Sequence, residues 1–255
     1  MRDQFIEKTI GLLRSTTVIN WEASIHDTVA SLREQAQRPL VVSWVNAHAV
    51  MLAKSDRQFF DALSSSDLIL RDGIGVAVML RMMGVDPGAN MNGTDLIPEN
   101  IRAFEGKAVA LFGTVEPYLS RAADAVRQMG GRVVATLDGF ESPQAYVDRL
   151  DGIHVDLVVL GMGMPRQEHV ASFLSTSLKE ECVILNGGAI LDFMGRRFPR
   201  APQVWRNLRI EWLFRLMLEP RRLWRRYLLG GVRFAAYSVR VAVAVRTVRG
   251  LVALK

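Results

Sequence analysis

The stretch DLILRDGIG, Asp67–Gly75, is an apolar run of strand length that stops abruptly on Asp72 and Gly73. A buried parallel strand ending in this way delivers its carboxylate to the carboxyl edge of a sheet, where open α/β folds bind their ligands. Asp72 is therefore a candidate for chemistry. Two readings stay open on this stretch alone: a reactive carboxylate, or a cap for the following helix with Gly73 easing the turn.

Outward from this run the same grammar repeats. LVVSWV (40–45) closes on Asn46, Ala47 and His48, and KAVALF (107–112) on Gly113 and Thr114. RVVATL (132–137) ends on Asp138 and Gly139, DLVVLG (156–161) on Gly161 and Gly163, and CVILN (182–186) on Gly187 and Gly188. Helical stretches separate these runs at about 50–63, 76–83, 117–129, 143–150 and 166–174. Ahead of them lie an amphipathic pattern at 24–37 and a possible short strand at 17–19. Alternation of this kind predicts a parallel sheet with crossover helices, so the expected fold class is α/β, Rossmann-like, over residues 1–195. Glycines at strand ends let backbone N–H groups approach a ligand, and a helix N-terminus behind them favours an anion such as a diphosphate. Gly73, Gly113, Gly161, Gly163, Gly187 and Gly188 are the candidate ligand-binding glycines, with Asn46 and His48 beside them at a strand end.

The loops do not carry the commonest nucleotide signatures. G-M-G-M-P at Gly161 places a proline where a dinucleotide fingerprint opens its helix toward a third glycine, and no G-x-x-x-x-G-K-[ST] occurs. Hydride transfer by a nucleotide-dependent dehydrogenase and P-loop hydrolysis both lose ground. The sequence has no D-x-D, no H-E-x-x-H and no Cys/His cluster, so no metal site is expected. Of the other histidines, His26 and His154 read as surface residues. Asp95 in NGTDL (92–96) is either a ligand or a cap for the helix that follows.

Charge divides the chain. From Arg196 onward there are 15 Arg and Lys against two Glu, whereas residues 1–195 hold 17 basic and 24 acidic groups. An acidic globule with a basic, helical end points to a polyanion or an anionic membrane surface as partner. Arg215, Glu219, Arg222 and Arg226 form one stripe if the helix continues across Pro220, which could equally start a second helix; an ordinary solvated basic face is the alternative. Beyond Gly231, arginines at 233, 240, 246 and 249 interrupt aliphatic runs without sharing one helical face. They interrupt every stretch near the C-terminus that approaches the about 20 apolar residues a bilayer span needs. Aliphatics between the charges suit lipid better than bases, and no nucleic-acid recognition motif is present, so the tail reads as a peripheral membrane segment separable from the domain. No signal peptide is read at the N-terminus, and the single Cys182, in an apolar run, reads as a buried thiol suited to a reducing compartment.

Taken together, VNAHAV (45–50), DLILRDGIGV (67–76), NGTDL (92–96), LGMGMPRQE (160–168), NGGAILDF (186–193), RAP (200–202) and IEWLFRLMLEPRR (210–222) resemble the WecG/TagA/CpsF family of glycosyltransferases, over about 40–230. The resemblance implies an inverting, metal-independent, cofactor-free transfer from a UDP-sugar to a polyprenyl-diphosphate-linked acceptor in cell-surface polysaccharide biosynthesis. The donor would be a hexose or N-acetylhexosamine, N-acetylmannosamine in type. It implies a cytoplasmic enzyme, peripheral on the inner face of the cell membrane. It places the base at Asp72, the strand-end asparagine at Asn46 and the G-x-P-x-Q-E glutamine at Gln167. Arg215, Arg222 and Arg225 match arginines thought to fold over the active site and hold diphosphate. Two positions depart from the family pattern, Trp44 where threonine is common and Asn90 where an arginine is common, and both are expected near the sugar pocket. Against this stand a dehydrogenase and a non-catalytic membrane adaptor on the same fold.

Overall fold

The computed structural model describes residues 4–16, 27, 29, 32, 37–207 and 211–253. The possible strand at 17–19, His26 and most of the stretch 24–37 lie outside them; Asp27, Val29 and Leu32 are helical, and Val29 is buried. Among the described residues six strands form one all-parallel sheet: β1 (Leu40–Val45), β2 (Leu68–Arg71), β3 (Ala108–Gly113), β4 (Arg132–Leu137), β5 (Leu157–Gly161) and β6 (Val183–Asn186), in the order β2-β1-β6-β5-β3-β4. All but the edge strand β4 are buried along their whole length. That is why they read as continuous apolar runs.

Side chains alternate between the two faces, as the strand period of two requires. On one face Val42, Trp44, Leu68, Leu70, Leu111 and Val159 pack against α5 (Gly93–Ala103), α6 (Tyr118–Gln128) and α9 (Ile190–Met194). On the other, Ala110, Phe112, Val158 and Ile184 meet α7 (Pro143–Leu150) and α8 (Arg166–Ser177). Val45 and Ile69 meet α1 (Gln4–Arg14), α2 (Ala47–Ser55), α3 (Arg57–Ser64) and α4 (Ile74–Met82). The helix expected over about 50–63 is thus two helices, because Asp56 stops α2 and caps α3 by accepting the Phe59 N–H at 2.9 Å. Cys182 is buried, as expected.

The chain continues through α10 (Gln203–Asn207), α11 (Glu211–Leu218) and α12 (Pro220–Trp224), then a π-helical turn, Arg225–Leu229, into α13 (Gly230–Ala253). Pro220 starts a new helix, so the arginine stripe does not run through it. In α13, Phe234, Tyr237, Val241 and Val245 are buried in the same cluster as Leu12, Leu13, Val50, Val76 and Met79. The Tyr237 hydroxyl lies 2.8 Å from Thr9 Oγ1 and donates to Phe5 O at 3.2 Å. The expected separable tail is therefore packed into the core. Its stripe escaped notice in the sequence because the opposite face is apolar too, with Val232, Val239 and Val243 exposed, so no polar face marks the buried one.

Candidate active site

Asp72 directly follows β2 and its N–H is bonded to Val45 O at 2.9 Å, which locks the ends of β1 and β2 together. Beneath it, buried Arg71 gives every arm to main-chain oxygens and one amide: Nε to Pro87 O (2.8 Å), Nη2 to Gly88 O (3.2 Å), and Nη1 to Gly73 O (3.0 Å) and Asn90 Oδ1 (3.3 Å). Asn90 Oδ1 also accepts the Gly73 N–H at 2.9 Å. The loop after α4 is thereby clamped over the strand end and forms one wall of a cleft of about 540 Å³. Asn46, His48, Asp72, Gly73 and Asp95, all singled out in the sequence, line this cleft, and Arg215 lines it from α11. Glu211, Trp212, Tyr227, Gly230, Gly231 and Phe234 complete its outer wall.

Asp72 sits half-buried at this cleft. Burial and the facing Glu211 carboxylate push its carboxyl up to about 6, against the pull of a hydrogen bond from Asn46 and of the Arg71 and Arg215 guanidiniums. Asn46 is fixed for that bond because its Oδ1 caps α2, accepting the Ala49 N–H at 3.0 Å. Asp72 does not cap α4, whose cap position is Gly73 at φ 82. The result is a carboxylate more basic than an exposed aspartate yet still ionised at neutral pH, a combination suited to general-base work. Glu211 was not recognised in the sequence, where it reads only as an acid in a helix's first turn.

The other strand ends are organised differently. A Cβ on Gly113 would lie 2.3 Å from Gly161 O, one on Gly161 would strike Leu191, and one on Gly187 would strike Ile190, so packing alone demands glycine at these three positions. Gln167, expected as a ligand, is buried: its Oε1 accepts the N–H groups of Gly163 (3.1 Å) and Gly188 (2.8 Å), and its Nε2 donates to Glu168 Oε1 (2.8 Å). It ties the loops after β5 and β6 together. Burial pushes Glu168 up to about 7, opposed by that bond from Gln167. The main-chain N–H groups of Gly73, Gly163, Gly187 and Gly188 are all taken by protein acceptors. Among the described residues lining the cleft, Arg215 is the one guanidinium. Its own position is set by stacking over Phe193, 5.1 Å from the ring centroid.

Asp95 is not the helix cap: Asn92 is, accepting the Thr94 N–H at 2.9 Å, and Asp95 pairs with Arg200. Trp44 lies beneath the cleft rather than in it, its Nε1 donating to Met91 O at 2.5 Å and its ring against Gly93, so it props the NGTDL turn from below. Asn90, the other departure, does line the cleft. Arg225 stacks on Trp224, 5.4 Å from the ring centroid, and is not among the lining residues. The Arg222 side chain falls outside the description. His154 is exposed beside Glu180, away from the cleft.

A model of the glycosyl transferase WecG/TagA/CpsF family matches residues 15–247. The chain belongs to the WecG/TagA/CpsF glycosyltransferase family. It is therefore an enzyme, and the dehydrogenase and adaptor readings fall away. A relative from Bacillus subtilis (strain 168), an N-acetylglucosaminyldiphosphoundecaprenol N-acetyl-beta-D-mannosaminyltransferase, is 29% identical over 195 residues, covering 74% of this chain and 75% of the relative. Within the WecG/TagA/CpsF assignment, the quoted motifs at Asn46, Asp72 and Arg215 converge on one cleft, whereas Gln167 belongs to the scaffold beside it.

Proposed function

We propose that this glycosyltransferase moves a hexose or N-acetylhexosamine, of the N-acetylmannosamine type, from a UDP-sugar to a polyprenyl-diphosphate-linked sugar, with inversion. The observation that carries the reading is the basic carboxylate of Asp72 at the floor of a cleft that also presents Arg215. Asp72 takes the proton of the acceptor hydroxyl as that oxygen attacks the anomeric carbon. The bond from that carbon to the UDP oxygen breaks, and the departing diphosphate keeps the electron pair. Arg215 stabilises its charge, with Arg222 and Arg225 as further candidates on the same segment. Asn46 orients Asp72, and His48, Gly73 and Asn90 wall the space for the sugars.

The named relative supports the choice of acceptor and donor class through its own activity. Metal independence follows from assigning the diphosphate charge to arginine: saturating chelator should leave turnover unchanged, and loss of activity restored by Mg²⁺ or Mn²⁺ would overturn that assignment. Membrane attachment is part of the same proposal. The π-helical turn and α13 together hold a stretch, Tyr227–Thr247, long and apolar enough to cross a bilayer, but a third of it is buried inside the protein. Lying in the cytoplasmic interface, with Val232, Val239 and Val243 in the acyl boundary and Arg233, Arg240 and Arg246 at the headgroups, suits it better.

The pH profile tests the base. Only ionised Asp72 can accept the proton, so kcat/KM should fall about tenfold per pH unit below about pH 6. Glu211→Gln removes the carboxylate that raises Asp72 and should move this acid limb to lower pH. An acid limb unmoved in that variant would separate Glu211 from Asp72, and a flat profile down to pH 4.5 would remove Asp72 from the reaction.

A further inference from the structure

We propose that the side-chain-free wall made by Gly230 and Gly231 is the exit through which the polyprenyl chain of the acceptor leaves the cleft, passing onto the outer face of α4 at Ile74 and Val78. This rests on the lipid-linked acceptor proposed above and adds the path of its hydrocarbon.

Glycine inside a helix is disfavoured relative to alanine, so two in succession call for a reason. Backbone conformation does not supply one. Gly230 has φ −64, and neither glycine is among those with positive φ. Packing does not supply one either. A Cβ on Gly231 would meet nothing within 4 Å, and one on Gly230 only Arg225 O at 3.7 Å. What a side chain there would remove is room in the cleft, since both glycines line it. They also follow directly on the π-helical turn, a distortion that commonly marks functional sites.

The lining holds both polar and apolar groups. Asp72, Asn46, Asn90 and Asn92 provide hydrogen-bonding groups, and Ile74, Trp212, Tyr227 and Phe234 provide apolar ones, Tyr227 and Phe234 flanking the two glycines along the chain. α4 and α13 meet here, with the Gly75 Cβ position 3.3 Å from the Phe234 ring. Ile74 is 46% exposed, and Val78, one turn further along α4, is equally so. Two exposed apolar side chains on α4, the first of them in the cleft lining, fit a ligand with a sugar-diphosphate head and a hydrocarbon tail.

The experiment compares kcat/KM for two acceptors carrying the same sugar diphosphate, one on a long polyprenyl chain and one on a short alkyl chain, both in the same detergent micelles. Wild-type protein should prefer the long chain. Gly231→Leu should lower the long-to-short ratio at least tenfold. Val78→Glu, exposed and outside the cleft, should lower the same ratio while leaving the short acceptor unaffected, and it keeps the test available if Gly231→Leu folds poorly. Phe173→Glu, an exposed apolar position on α8 that lines no part of the cleft, should leave the ratio unchanged. An unchanged ratio in Val78→Glu, or a wild-type enzyme indifferent to chain length, would overturn the exit path. Transfer to neither acceptor by wild type would instead refute the reaction on which the path rests.

Discussion

Asp72→Asn should lower sugar transfer at pH 7.5 by about 10²-fold or more, leave UDP affinity nearly unchanged, and make the folded protein more stable. The first effect follows because asparagine keeps the shape and the contact with Asn46 but cannot take a proton from the acceptor hydroxyl. The gain in stability follows from the raised carboxyl of Asp72. Its value in the folded protein, about 6, lies above the ordinary 3.8, so between those pH values the folded state holds a proton that the unfolded state has released. Stability from this group is therefore full below about pH 4 and lost as pH rises through 6. Above that, the charged carboxylate is a net liability of at most about 3 kcal/mol, lessened by water in the open cleft. Asparagine removes the liability at pH 7.5 and not at pH 4. Thermal melts at the two pH values, beside steady-state rates, check both halves. A mutant with near-normal turnover would show that another group is the base.

Deleting residues 231–255 should abolish activity on every acceptor, water-soluble ones included, and leave a protein that aggregates or melts far below the intact chain. The deletion removes Phe234, Tyr237, Val241 and Val245 from the cluster shared with α1, α2 and α4, and strips Gly231 and Phe234 from the cleft. Burial of such side chains is worth about 1.5–3 kcal/mol each, together comparable to the whole stability of about 5–15 kcal/mol of a domain. Val241→Asp, at a fully buried position, should reproduce most of the loss with the chain length intact. Melting, solubility and transfer to a water-soluble acceptor analogue are the measurements. A truncated protein that stays folded and turns over that analogue at the full rate would make α13 a dispensable anchor after all.

The parts of this molecule legible in the sequence are those whose meaning is local. A buried parallel strand announces itself by an unbroken apolar run, and its end by Asn, Asp or Gly, so Asn46 and Asp72 could be placed at one sheet edge before their neighbours were known. Roles that depend on distant partners could not be read. Gln167 occupies the family motif, yet its acceptor oxygen is taken by two glycine N–H groups, one of them in a loop after a different strand. Gly113, Gly161 and Gly187 read as places for a ligand, and only the folded neighbours show that backbone or side chains there also leave no room for a Cβ. Glu211 bears on Asp72 only because α11 lies over the cleft, and nothing in EWLFRLML fixes that position. The burial of α13 escaped because arginines scattered on an all-round apolar helix hide which side faces inward.

The most direct test is UDP release by the full-length protein from a panel of UDP-sugars, in chelator-containing buffer, with and without N-acetylglucosaminyl-diphosphate-lipid as acceptor. The expected result is release that depends on the acceptor, is fastest with one UDP-hexose or UDP-N-acetylhexosamine, yields product of inverted anomeric configuration, and is lost in Asp72→Asn. Release that proceeds equally without acceptor, or transfer with retention of configuration, would contradict a single base at Asp72 acting on the acceptor hydroxyl.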